Sequence, residues 1–387
     1  MSARTCECLF LLVGSNPLPN YLAALILKPK AVRLFYSPET RAVKDHLEER
    51  LKAALPNVCL DDKYIHDVTS AEEVAKAFDD IPPDAHLHYS GGTKVLAAHA
   101  RMAFREILGE DALERASYMD ERKGLLRFDS GCHLDLSEQK LDLTLDYLLA
   151  LHGIKRHQPR SPQTGDPTES DAMKIAIAGI RNPTFARTLY RIHRLENGKR
   201  VPFDKASDAF SSLHEALSRI PNAPQIPEAY WKEEETFETW SDFCEWLEVW
   251  CGSVLRRILS ENQIVVDLNC TLANGRECQI DVAVVRGHRL YLISCTTDTT
   301  IGICKSKLFE VAMRARQLGG DLARSALVCL IDGCDSKETR ADKLRKDVAA
   351  LWDAPNTPEV FGRDDLMEWV GVKGNQPLQS LESWLDS

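Results

Sequence analysis

Residues 85–94 read AHLHYSGGTK, a short strand-like run that breaks at Ser90-Gly91-Gly92-Thr93 and restarts at Lys94 as a helical stretch to Leu108. Two glycines let the backbone bend and come close to a neighbour, while Thr93 and Lys94 supply a hydroxyl and an ammonium where the helix begins. A helix start also presents free backbone N–H groups, so this turn suits an anion. A Gly-Gly turn is equally an ordinary way to join a strand to a helix. It is not a Walker A loop, and no GxGxxG fingerprint occurs in the chain.

Working outward from this turn, the same order recurs upstream. Cys8 to Val13 reads as a strand, Gly14-Ser15-Asn16-Pro17-Leu18-Pro19-Asn20 as a loop, and Tyr21 to Leu27 as an apolar helix. Ala31 to Tyr36 and Val58 to Ile65 read as strands, and Thr40 to Ala54 as a helix. Ser70 to Phe78 reads as a helix opened by a capping box, Ser70 with Glu73. Strands alternating with helices predict a parallel doubly wound sheet, in which ligands bind beyond the carboxyl ends of the strands. Both loops, 14–20 and 90–94, fall at such ends.

A chain of 387 residues exceeds one ordinary core and predicts two principal domains. Hydrophobic residues at 44% and charged residues at 27% are a globular balance. No run approaches the roughly 20 apolar residues of a membrane span, and Met1 to Glu7 does not resemble a secretory leader, so a cytoplasmic protein is expected. The 12 cysteines include no CxxC pair, and those such as Cys59, Cys270, Cys295 and Cys329 are expected to be reduced and mostly buried. A net charge of −10 argues against coating nucleic acid non-specifically. Arg256, Arg257, Lys305, Lys307, Arg314 and Arg316 leave room for a local basic groove, or equally for solvated helix faces.

Lys155 to Asp171, with three prolines and no apolar period, reads as a linker or a long exposed loop; Ala172 to Leu217 reads as helical, and Ile220 to Pro227 brings three more prolines. Beyond lies a helix carrying Phe243, Trp246, Leu247, Trp250, Leu255 and Ile258 on one face, entered through Thr239 and Asp242. Strand Ile264 to Leu272, a hairpin of Glu277 to Val285 and Arg289 to Thr296 about Arg286-Gly287-His288, helix Lys305 to Leu318 and strand Ala326 to Asp332 follow. Glu248 on the helix and Asp281 on a strand form a carboxylate pair of the type that holds Mg²⁺ or Mn²⁺ for phosphodiester hydrolysis. As a solvated helix residue and a strand residue near a turn, they also have an ordinary structural reading.

Two resemblances sharpen this. Val13-Gly14, Pro19-Asn20, the 88–94 turn and Ala116-Ser117-Tyr118 together resemble a CARF domain, the cyclic-oligoadenylate sensor of type III CRISPR effectors. That resemblance implies a homodimer binding one cyclic oligoadenylate, cyclic tetra-adenylate, across its two-fold axis. The contacts it implies are Gly14, Ser15, Asn16, Asn20, Ser90, Gly91, Gly92, Thr93 and Lys94. Trp246-Leu247-Glu248, Gln279-Ile280-Asp281, Leu290 to Cys295 and Leu308 to Gly320 are similar in order to the PD-(D/E)xK nuclease pattern. That similarity implies Glu248 and Asp281 as metal ligands. Where the pattern has ExK, this chain has Ser294-Cys295-Thr296, and Lys305 or Lys307 on the next helix is the candidate replacement cation.

The expected architecture is therefore α/β: a Rossmann-like CARF domain over 1–155, a helical connector over 156–228, and an α/β restriction-endonuclease-like domain with a tail over 229–387. The expected activity is ligand-activated, metal-dependent cutting of DNA or RNA. The alternative is a sensor whose nuclease-fold domain is catalytically dead and binds nucleic acid or a protein.

Overall fold

The computed structural model describes residues 6–158 except 142, 169–183, 186, 211, 214, 215, 218, 246–335, and 338–386 except 355 and 373–375. Phe243, Thr239, Asp242, the Ile220 to Pro227 break and most of the Ala172 to Leu217 stretch lie outside the described residues.

Seven strands build the first sheet: β1 (Cys8–Leu12), β2 (Ala31–Tyr36), β3 (Cys59–Tyr64), β4 (Ala85–His88), β5 (Ala116–Asp120), β6 (Leu125–Phe128) and β7 (His133–Asp135), in the order β3-β2-β1-β4-β5-β6-β7. β1, β2, β3, β4 and β5 pair in parallel, and β6 and β7 are added antiparallel. Its helices are α1 (Leu18–Leu27), α2 (Arg41–Ala54), α3 (Ala71–Ala77), α4 (Lys94–Leu108), α5 (Ala112–Arg115) and α6 (Leu145–Leu151). Alternate residues of β1 face opposite sides: Leu9 and Leu11 join α1, α2 and α6, whereas Phe10 and Leu12 join Phe35, Phe78 and Phe104 under α3 and α4. Two covered faces are what a parallel sheet requires, and they account for the unbroken apolar run of β1.

The second sheet has the order β15-β12-β11-β10-β9-β8. Its strands are β8 (Lys155–Arg156), β9 (Ile264–Thr271), β10 (Glu277–Arg286), β11 (Arg289–Thr296), β12 (Arg324–Cys329) and, after a two-stranded ribbon of β13 (Cys334–Asp335) and β14 (Glu338–Thr339), β15 (Glu359–Phe361). β8 to β11 pair antiparallel, and β11, β12 and β15 in parallel. One face carries α7 (Glu169–Arg181), α8 (Trp246–Leu255), α11 (Arg363–Trp369) and α12 (Gln379–Asp386), with Trp246, Trp250 and Trp369 fully buried. α9 (Ile301–Gly319) and α10 (Arg340–Leu351) cover the other, so the residues after Asp335 complete this layer.

Four local expectations are corrected. Lys155 and Arg156 are not linker but pair with Thr271 and Cys270. Cys59 is exposed, because β3 is an edge strand that no other described element covers on its outer face. Ser70 caps α3 by accepting from Glu73 N, but the Glu73 carboxylate accepts from Asp67 N, so the reciprocal arm of the box is made one turn earlier. α9 starts at Ile301, which moves Lys305 and Lys307 from the head of the helix into its second turn. No helix among the described residues is long and apolar enough to cross a membrane.

Candidate functional site

Strand order reverses between β1 and β4, which lie side by side in parallel, so the loops leaving their carboxyl ends diverge from one point of the sheet. These are the loops 14–20 and 90–94. Their backbones touch. A Cβ on Gly91 would overlap the Leu12 carbonyl oxygen and lie 2.9 Å from Asn20 Nδ2, and a Cβ on Gly14 would lie 2.5 Å from Gly92 N. Gly92 has φ +75°, the left-handed region that favours glycine. The double glycine is thus required by close packing, whatever the loops bind.

Each expected side chain can now be placed. Asn20 is fully buried under the loops, where Nδ2 donates to Leu12 O at 2.8 Å; its Oδ1 has no hydrogen-bond partner among the described residues. It props the mouth and does not line it. Asn16 Oδ1 accepts from Leu18 N at 3.1 Å at the start of α1, and Ser15 is exposed beside it. Ser90 Oγ accepts from Met119 N and ties the turn to β5. Thr93 Oγ1 caps α4 by accepting from Leu96 N at 3.1 Å. Lys94, exposed, is the first residue of α4, where a cation opposes the helix dipole unless an anion joins it. Beneath the turn, Ser117 Oγ sits 2.8 Å from His86 Nε2 and 3.1 Å from His88 Nδ1. Complete burial pushes the His88 imidazole down to about 3, so it is a neutral part of the floor.

The second candidate site is a cavity of about 320 Å³ lined by Glu277, Gln279, Asp281, Ser294, Lys307, Glu310 and Arg314, among others. Asp281 on β10 turns Oδ2 to its β11 neighbour, accepting from Ser294 Oγ at 2.9 Å and Cys295 N at 2.6 Å. Thr296, at the position of the missing lysine, is buried and its hydroxyl accepts from Asp298 N at 3.2 Å. It cannot act in the cavity. Lys307 lines the cavity and Lys305 does not, which separates the two candidates. Glu248 on α8 is not among the lining residues, yet it shares a neighbourhood with Asp281. The Cys295 thiol is pushed up by burial first, then by its hydrogen bond with Cys251, and further by the charges of Asp281 and Glu248.

Glu310 was missed from the sequence, whereas Arg314, expected only as part of a basic groove or a solvated face, lies on this cavity. Lys307, Glu310 and Arg314 stand at i, i+3 and i+7, one face of α9, and that spacing was the available signal. No group of three or more His, Cys, Asp or Glu forms a metal cage among the described residues. Mg²⁺ needs no such cage when one or two carboxylates are joined by water and substrate phosphates. Asp281 and Glu310, which line the same cavity, are the residue types that suit an ion held in that shared way.

The unit that carries the first site contacts the end of α9, the helix whose middle lines the second. Glu121, in the turn after β5, accepts from Asp321 N at 2.6 Å, just beyond α9. Gly320, φ +61°, closes α9 against Asn16 Nδ2 and Glu121 Oε2, with no space for a Cβ. His152, after α6, sits 2.8 Å from Leu318 O.

No family model and no curated protein matches the chain. Solved structures do. Can2 from Sulfobacillus thermosulfidooxidans, in complex with cyclic tetra-adenylate, superposes with a TM-score of 0.64 at 16% identity, over 98% of this chain and 100% of that one. Protein VC1899 from Vibrio cholerae matches with a TM-score of 0.64 at 15% identity, over 98% of both chains. A type III CRISPR defence DNA nuclease activated by cyclic oligoadenylate matches with a TM-score of 0.53 at 16% identity, over 91% of this chain and 53% of that one. At such identities the likeness establishes the fold, mixed α/β with a Rossmann-like parallel-rich sheet.

Proposed function

We propose that this protein is a cyclic-oligoadenylate sensor of type III CRISPR defence whose second pocket cuts DNA or RNA when the ligand is bound. The observation that carries the reading is the pairing of loops 14–20 and 90–94 at the switch point, with Lys94 and Ser15 exposed at the mouth. It is supported by a fold shared along nearly the whole chain with a protein solved in complex with cyclic tetra-adenylate. An anionic ring would be met by Lys94, the Thr93-capped start of α4 and the free N–H groups of the turn.

The ligand is expected to lie across a homodimer. Val95 and Met102, 45% and 61% exposed and seven residues apart on α4, form an apolar stripe that starts next to Lys94, where a second copy would cover it.

At the second pocket the reaction would be hydrolysis: water attacks phosphorus and the P–O bond to the leaving oxygen breaks. A bound Mg²⁺ or Mn²⁺ would supply Lewis acidity. Lys307 would balance charge growing on the phosphate oxygens, Arg314 would hold the neighbouring phosphate, and Asp281, fixed by Ser294 and Cys295 N, would orient the water. Glu248 would support this group from α8.

A second reading, a non-cutting domain that binds nucleic acid or a protein partner, is favoured by one observation: Ser294 and Thr296 replace the ExK positions, and both hydroxyls are committed internally. Incubation with Mn²⁺, cyclic tetra-adenylate and plasmid, single-stranded DNA or RNA separates the two. Cutting that requires the ligand and vanishes in Asp281→Ala supports the nuclease; intact substrate at every metal and ligand concentration supports the non-cutting domain.

A further inference from the structure

The contact between the first unit and the end of α9 has no counterpart in the sequence motifs. α9 is a continuous 19-residue helix. Its middle turns place Lys307, Glu310 and Arg314 on the second cavity. Its last turn and the residues just beyond it are gripped by the first sheet's unit at three points: His152 at Leu318 O, Glu121 at Asp321 N, and Asn16 against Gly320. Asn16 belongs to the loop that lines the ligand mouth. A helix moves as a rigid body, so a shift at one end is delivered along its length.

The grip is also stiff. Asp321 is held by Arg316 at 2.9 Å, its carbonyl accepts from Asn356, and Asn356 reaches Ala323 O at 3.1 Å. Burial raises the Glu121 carboxyl above the usual range, while its hydrogen bond from Asp321 N pulls the other way. A bond in so enclosed a place is not replaced by water when it is lost.

Resting on the reading of the first site as a cyclic-oligoadenylate pocket, we propose that Glu121 is a positioning residue: with Asn16 and Gly320 it transmits occupancy of the 14–20 loop through α9 to Lys307, Glu310 and Arg314. Glu121 belongs to neither mouth loop and does not line the cavity. Its loss uncouples the sites and spares ligand binding.

The test measures hydrogen–deuterium exchange of peptides covering 301–319 in the full-length protein, with and without cyclic tetra-adenylate, beside calorimetry of ligand binding. In the wild type the ligand changes exchange in this helix. In Glu121→Ala the ligand binds within about threefold of wild type, while the helix response falls by about tenfold, within the usual range of coupling between sites. Glu121→Gln keeps an acceptor for Asp321 N and restores the response, which a loss of general packing would not permit. An unchanged response in Glu121→Ala overturns the proposal, and so does a wild type that binds the ligand with no change in 301–319. A wild type that binds no cyclic oligoadenylate overturns the sensor reading, and the coupling with it.

Discussion

The mouth at the switch point and the cavity beside Asp281 are both clefts at strand ends, but they are built on different principles. The first is made of backbone. Gly14, Gly91 and Gly92 let two loops touch, and Asn20, Ser90 and Thr93 spend their side chains on holding those loops in place. The second is made of side chains on separate elements, β10 and β11 with Asp281 and Ser294, and α9 with Lys307, Glu310 and Arg314. A site of this kind leaves no space for a Cβ at Gly14 or Gly91. A side-chain site can move its chemistry from a strand to a facing helix and keep its charge balance.

The sharpest way to break this contrast is Asp281→Ala. It removes the acceptor for Ser294 Oγ and Cys295 N as well as the cavity's central carboxylate, and should reduce ligand-stimulated cleavage by at least about 1,000-fold. Gly91→Ala tests the other region. With the Leu12 carbonyl oxygen in the way, the variant should lose about 3 kcal/mol or more in urea unfolding and its ligand binding with it. Lys307→Ala should lower cleavage by about 100-fold with stability unchanged, whereas Lys305→Ala, outside the cavity, should lower it by less than about threefold. Equal effects of the two would show that the chemistry did not move to this face of α9.

A pH titration probes the join between the regions. Burial pushes the His152 imidazole down to about 4, with the hydrogen bond to Leu318 O acting the other way, so it is neutral in the folded state at pH 7. A depressed folded value means that the unfolded chain takes up the proton first, at about 6.5. The stabilisation is therefore present above pH 6.5 and is lost as pH falls towards 4. Between pH 7.5 and 5 the wild type should lose about 2 kcal/mol more than His152→Gln, measured by urea unfolding at each pH. The smallest effect is a control: Gly302→Ala, in α9 with nothing within 4 Å of a new Cβ, should stabilise by up to about 1 kcal/mol.

How legible each region was follows from the same contrast. Period and turn chemistry are local, so AHLHYSGGTK and the 14–20 loop revealed strand, turn and helix, and the alternation of elements implied the parallel sheet. Asn20 read as a ligand contact because its burial depends on Gly91 packing over it, which no local pattern records. In the second region the hairpin and the long helix were legible from alternation and amphipathicity. The pairing of Lys155 and Arg156 with β9 and the parallel addition of β15 join residues more than a hundred positions apart or follow a polar stretch, and no period announces either. The choice of Lys307 over Lys305 turned on where α9 begins, four residues before the expected start, since that sets which face meets the sheet.

The central claim, that the switch-point loops form a cyclic-oligoadenylate pocket, is met most directly by titrating cyclic tetra-adenylate into the wild type and Lys94→Ala in a calorimeter. Lys94 suits this test because Thr93 also caps α4, so its loss would mix binding with stability. One ligand is expected per two chains, with affinity weakened by about tenfold or more in Lys94→Ala, the loss of a charge-assisted phosphate contact. Equal affinity in the two proteins, or no binding of any cyclic oligoadenylate by the wild type, would contradict it.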